Sequence, residues 1–87
     1  MQVLDFYAPW CVPCKRILPI VEKFSTEQNI PLKKINVEDS RNLFDHFNVK
    51  TVPTLILVDE KEDVLLCKEI KRIINPKNLE EIRSILN

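Results

Sequence analysis

A chain of 87 residues is long enough for one modest core, because a domain of this size buries about two-thirds of the surface its unfolded chain exposes. Apolar residues make up 45% and charged residues 30%, and thirteen Lys and Arg balance thirteen Asp and Glu. No run of Lys and Arg is free of interleaved acids, which leaves nucleic-acid or membrane-surface binding without electrostatic support. No apolar run approaches the ~20 residues of a membrane helix.

The first residues, Met1 to Tyr7, carry no cationic segment, and Asp5 interrupts their apolar run, so they do not read as a signal peptide. Three cysteines in such a chain point to redox or metal chemistry in a reducing, cytoplasmic compartment rather than to a disulfide scaffold. Glycine is absent. Every turn must therefore be made with Asn, Asp, Pro or Lys.

Val3 to Ala8 reads as a strand buried on both faces, ended by Pro9. From Val12 the period becomes helical. Ile17, Ile20, Val21 and Phe24 predict an amphipathic helix to about Gln28, with Pro19 inside it as a kink. Leu32 to Val37 reads as a second strand. Asp39 or Ser40 can cap a short helix whose apolar face is Leu43, Phe44 and Phe47. Thr54 to Val58 is a buried strand, and a polar turn over residues 59–63 leads to a hairpin partner at Val64 to Lys68. Asn75-Pro76 starts the last helix, with Leu79, Ile82, Ile85 and Leu86 as its buried stripe.

The order β-α-β-α-β-β-α predicts a single α/β domain over residues 1–87, with three helices covering a four-stranded mixed sheet. Its first three strands should be parallel and the hairpin should add an antiparallel edge.

Cys11-Val12-Pro13-Cys14 lies where the first strand hands over to the first helix. Two residues between cysteines at a helix start can bring the sulfurs within bonding range. Cys11 occupies the helix N-terminus, where unpaired N–H groups and the macrodipole favour an anion by roughly 0.3–2 kcal/mol, or up to about 1.5 pKa units. Lys15 adds a nearby positive charge. Cys11 should be the acidic, exposed nucleophile and Cys14 the shielded resolving thiol.

The segment Asp5-Phe6-Tyr7-Ala8-Pro9-Trp10-Cys11-Val12-Pro13-Cys14-Lys15 resembles the active-site segment of thioredoxins, and Pro19 matches the helix proline of that family. Lys34-Ile35-Asn36-Val37 resembles its third strand, and Val49-Lys50-Thr51-Val52-Pro53-Thr54 its loop before a cis-proline. The resemblance spans roughly residues 2 to 87. It implies a minimal thioredoxin fold without the usual first strand and helix, and a protein-disulfide reductase working through Cys11 and Cys14. Glycines that thioredoxins place near the last hairpin are replaced by Ile70-Lys71-Arg72-Ile73-Ile74.

The same resemblance assigns supporting roles. Asp5 becomes a buried proton acceptor for Cys14, accompanied by Lys34; a carboxylate in an apolar strand otherwise costs several kcal/mol or shifts its pKa upward. Val52-Pro53 becomes a cis bond facing the sulfurs, and Trp10, Pro13, Val52 and Pro53 become the substrate-binding surface. Implied partners are disulfide-containing proteins and an electron donor such as thioredoxin reductase. The protein would act as a monomer with no metal and no cofactor beyond the redox-active pair.

Cys67 reads as a small buried hydrophobe in a strand, and His46 as a solvated helix residue. A tetrahedral metal site from Cys11, Cys14, Cys67 and His46 is the competing use of these residues, but structural zinc usually takes two closely spaced pairs. A glutathione-dependent, glutaredoxin-type reductase fits the short architecture and Thr51-Val52-Pro53. That family resembles Cys-Pro-aromatic-Cys with a paired glycine, and this chain has neither.

Overall fold

The computed structural model describes residues 1–87. Its strands are β1 (Gln2–Tyr7), β2 (Leu32–Asn36), β3 (Thr54–Val58) and β4 (Glu69–Ile74), and its helices α1 (Val12–Gln28), α2 (Arg41–His46) and α3 (Leu79–Arg83). The four strands form one mixed sheet in the order β2-β1-β3-β4. Helices cover both faces, as the sequence predicts.

The alternation of side chains along the two central strands sorts the core into two halves. Leu4 and Phe6 of β1 join Ile56 and Val58 of β3 on one face, under Phe44 and Phe47 of the α2 region. Phe6 meets both rings edge-on, with centroids 5.0 and 5.8 Å away. Val3, Leu55 and Leu57 point to the other face, where Ile17, Val21 and Phe24 of α1 and Ile82 of α3 cover them. Asp5 has the parity of Val3 and so lies under α1.

The direction of β3 differs from the expectation. It pairs antiparallel with β1, in a register that sets Thr54 opposite Phe6, while only β1 and β2 are parallel. A parallel return must carry the chain back along about 17 Å of strand. The six residues of α2 advance it only about 9 Å. The chain therefore crosses the end of the sheet and starts β3 where β1 and β2 finish.

The last strand also lies further along than predicted. Val64–Leu66 forms a single 3-10 turn, held by the Asp63 carboxylate accepting from the Leu65 N–H at 2.9 Å. Lys68 then closes the loop, its N–H donating to Asp59 Oδ1 at 2.8 Å. Strand pairing resumes only at Glu69, so Ile70 to Ile74 belong to β4. Cys67 is buried as expected, but beside this turn rather than in a strand.

The last helix begins later than Asn75-Pro76. Asn78 takes the cap position because its side chain accepts from the Glu81 N–H at 2.9 Å, while Glu81 Oε2 accepts from the Lys77 N–H at 2.7 Å. These reciprocal bonds satisfy donors that a proline start would leave open. Leu86 is exposed rather than part of the buried stripe. The long helix α1 matches its predicted bounds and runs unbroken through Pro19.

Turns without glycine are made by asparagine. Asn29, Asn48 and Asn75 all adopt left-handed backbone, with φ of 54°, 55° and 54°. Asparagine tolerates this region because its short amide can bond locally, whereas a plain Cβ costs roughly 1–2 kcal/mol there. Asn29 ends α1 this way, its N–H returning to the Ser25 and Thr26 carbonyls. Asn29→Ala and Asn48→Ala should each lower stability by about 1 kcal/mol, and the glycine variants by clearly less. Urea melts of the four variants check this; equal losses for Ala and Gly would remove backbone conformation as the cause.

Candidate active site

The site grows from the C-terminal end of β1. Beyond Tyr7 the chain turns at Pro9 and Trp10, and the Cys11 N–H donates to the Ala8 carbonyl at 3.1 Å. Cys11 is the N-cap of α1, with extended backbone (φ −85°, ψ 108°). Pro13 falls in the first helical turn, where its missing N–H has no intrahelical partner to lose. Local sequence thus starts the helix at Cys11 and sets Cys14 one turn on.

Cys11 and Cys14 are joined as a disulfide, with Cα atoms 5.3 Å apart. The Cys14 N–H points at Cys11 Sγ, 3.2 Å away, as a capping donor. Both cysteines are buried, Cys11 at 5% and Cys14 at 4% exposure. The expected contrast between an exposed Cys11 and a shielded Cys14 is absent in this disulfide form. Both pack with Ala8, and Tyr7, Val37 and Val52 lie against them.

The Val52-Pro53 peptide is cis. Pro53 is buried, and its carbonyl accepts from the Asn75 N–H at 2.8 Å, tying the loop before β3 to the end of β4. Trp10 is 68% exposed, which excludes a core role. It walls a groove of about 420 Å³ with Ala8, Val37, Phe44, Val49 and Val52. Pro13 is exposed and does not line the Trp10 groove.

Asp5 is 2% exposed, and its Oδ1 has no hydrogen-bond partner. Burial pushes its carboxyl up to about 6; Lys34 opposes the rise and Glu22 adds to it. Asp5 and Cys14 line one small cavity of about 120 Å³, together with Tyr7, Leu18, Lys15 and Lys34. Lys34 is the register partner of Asp5 across β1 and β2. Its ammonium, however, pairs with Glu22 at 3.8 Å on the exposed face.

The structure brings together Asp5, Lys34, Trp10, Cys11, Pro13, Cys14, Val52 and Pro53 at one end of the sheet. It does not bring Cys67 or His46 there. Cys67 accepts from the Gln2 side chain at 3.6 Å, at the opposite end of β1, and His46 stacks edge-on against Phe47. The four-ligand metal arrangement therefore has no geometric basis. Glu22 and Leu18 escaped the sequence reading, although Lys15, Leu18 and Glu22 share one helical face by their spacing. The Asn75 contact with Pro53 joins distant segments and left no local signal.

The thioredoxin family model matches residues 1–87. Among known proteins, the thioredoxin of Chlamydia caviae is 29% identical over 88 residues, covering all of this chain and 80% of that protein. The thioredoxin of Haemophilus influenzae is 40% identical over 58 residues, 64% of this chain and 54% of that one. Thioredoxin 1 from the thermophile Thermosipho africanus superposes with a TM-score of 0.82 at 26% identity, covering 99% of this chain and 90% of its own. A match over the whole chain, with the same fold built around a Cys-x-x-Cys disulfide, shows that the protein belongs to the thioredoxin family and is a thiol–disulfide oxidoreductase.

Proposed function

We propose that this oxidoreductase works as a cytoplasmic reductase of protein disulfides, with Cys11 attacking and Cys14 resolving. The observation that carries the assignment is the Cys14 N–H aimed at Cys11 Sγ across 3.2 Å at the start of α1. A thiolate at that sulfur would gain an N–H donor and the positive end of the helix dipole. Exposure does not distinguish the two cysteines, so position must.

In the reduced protein the Cys11 thiolate attacks one sulfur of a substrate disulfide. A bond forms between Cys11 and that sulfur, and the substrate's other sulfur leaves as a thiolate and takes up a proton. Cys14 then gives up its proton and attacks Cys11 Sγ, which restores the Cys11–Cys14 disulfide and frees the second substrate thiol. Two electrons have moved to the substrate. A dithiol donor of the thioredoxin reductase type returns them to the pair.

Asp5 is the acceptor for the Cys14 proton. A carboxyl raised to about 6 holds a proton better than an ordinary aspartate, yet is largely ionised at neutral pH. The shared cavity is large enough to admit a water between them. Lys34 keeps the carboxylate from rising further. Trp10, Pro13, Val52 and Pro53 form the substrate-facing rim, where the Val52 backbone can pair with an extended substrate segment.

Cys11→Ser should abolish disulfide reduction, and Cys14→Ser should trap a mixed disulfide through Cys11. Cys67→Ala should leave turnover nearly intact. Alkylation of the reduced protein near neutral pH should strike Cys11 first; faster labelling of Cys14 or Cys67 would overturn the assignment. Coupled assays with thioredoxin reductase and with glutathione identify the electron donor.

Asp5 gives a stability test with a defined sign. Its folded pKa of about 6 lies above the ordinary value of 3.8, so the folded state binds the proton more tightly than the unfolded one. Stability is lost as pH rises from the ordinary value through the folded one, by up to about 3 kcal/mol. Asp5→Asn should therefore stabilise the oxidised protein by about 1–3 kcal/mol above the folded pKa and by almost nothing below the ordinary one. It should also slow release from the mixed disulfide about tenfold or more. Urea melts against pH and single-turnover kinetics read both; no change in either would make Asp5 a spectator.

A further inference from the structure

A second groove, with a volume of about 220 Å³, reaches the reactive segment at Pro13, between the two cysteines in sequence. Ile17 and Ile20 form its apolar floor, Pro13 and the Asn75-Pro76 turn its walls, and Arg16 and Lys77 its rim. No acidic residue lines it. The Trp10 groove differs in containing Asp45, which holds Arg41 at 3.7 Å.

The two rim cations are unpaired. Lys23, Lys34, Arg41, Arg72 and Arg83 each have a carboxylate within ion-pair distance. Neither the Arg16 guanidinium nor the Lys77 ammonium has one, and both residues are exposed. The acid on the neighbouring helix turn, Glu81, is turned to the Lys77 backbone N–H at 2.7 Å. A protein with no net charge thus presents, next to Pro13 of its reactive segment, a groove lined by two cations and no acid.

We propose that this groove seats an acidic side chain of the substrate, close in sequence to the cysteine that Cys11 attacks. The carboxylate sits between Arg16 and Lys77, and its methylenes rest on Ile17 and Ile20. The occupant is a side chain rather than a free ligand because the volume falls below the ~300–1,000 Å³ of ordinary small-molecule sites. Its attachment to the substrate follows from the position beside Pro13, so the proposal rests on the protein-disulfide reductase reading. Charge complementarity here selects partners and speeds their encounter more than it deepens affinity.

The test uses pre-reduced protein in single-turnover reactions with disulfide-linked peptides whose cysteines are flanked by Glu, Gln or Lys. Glu peptides should react about threefold to tenfold faster than Gln peptides at low salt, as two exposed charge contacts allow, and Lys peptides more slowly than either. The advantage should shrink at high salt. In R16Q/K77Q the Glu-to-Gln ratio should fall to near one, and Arg16→Lys should keep most of it. Equal Glu and Gln rates in the wild type, a preference for apolar flanks, or a ratio that survives R16Q/K77Q would overturn the proposal. Bis(2-hydroxyethyl) disulfide, small and neutral, separates the two levels: a wild-type protein that reduces neither it nor any peptide refutes the reductase reading itself.

Discussion

The backbone pairing of β1 with β2 on one side and β3 on the other governs the rest of the molecule. Because β1 is central, its residues Val3 to Phe6 are buried on both faces, and the end of the strand is fixed in three dimensions. The start of α1 depends on that end through the Cys11 N–H bond to Ala8. The cis-proline loop depends on it as well, because β3 begins opposite Phe6. Cysteine pair, loop and groove walls are therefore positioned by rigid sheet rather than by mobile connections. A shift of one residue in the β1 register would reverse the faces of the strand and turn Asp5 away from α1.

The same burial makes Asp5 an expensive residue. An uncharged Asn would sit more easily opposite Leu55 and beside Leu18, and nothing in the packing asks for a charge. Asp5 Oδ1 finds no donor, and the ammonium of Lys34, its cross-strand neighbour, is paired with Glu22. What Asp5 has instead is a shared cavity with Cys14. A group that weakens the fold while lying beside a thiol that must lose a proton is explained by chemistry rather than by stability.

Much of this was legible in the chain, for specific reasons. The helical period from Val12, the apolar run at Thr54, and Cys11 to Cys14 at a strand–helix junction are local patterns, and the structure follows them. Asp5 stood out because a lone acid in an apolar strand violates the local rule. The failures are non-local or competitive. The direction of β3 depends on how far α2 can carry the chain, which periodicity does not encode. The β4 boundary moved because the Asp63 and Asp59 side chains captured backbone donors that a strand would have used. The equal burial of the two cysteines reflects tertiary cover from Val52 and Val37. The cationic groove joins residues from opposite ends of the chain, so a scan for basic runs finds nothing.

The missing glycines connect composition to site. At the end of β4 Asn75 takes a left-handed backbone conformation, and its N–H donates to the Pro53 carbonyl. Glycine would make that turn without strain, but it would leave the wall of the Pro13 groove without a side chain there. Asn75 accepts the same backbone conformation at modest cost and contributes an amide to the wall. Pro76 next to it removes one more backbone donor and stiffens the turn. The groove next to Pro13 therefore has side chains from both residues of this turn in its wall. Arg16 and Lys77 stand at the edge of that wall. With glycine in that place the wall would rest on Pro13 and Pro76 alone.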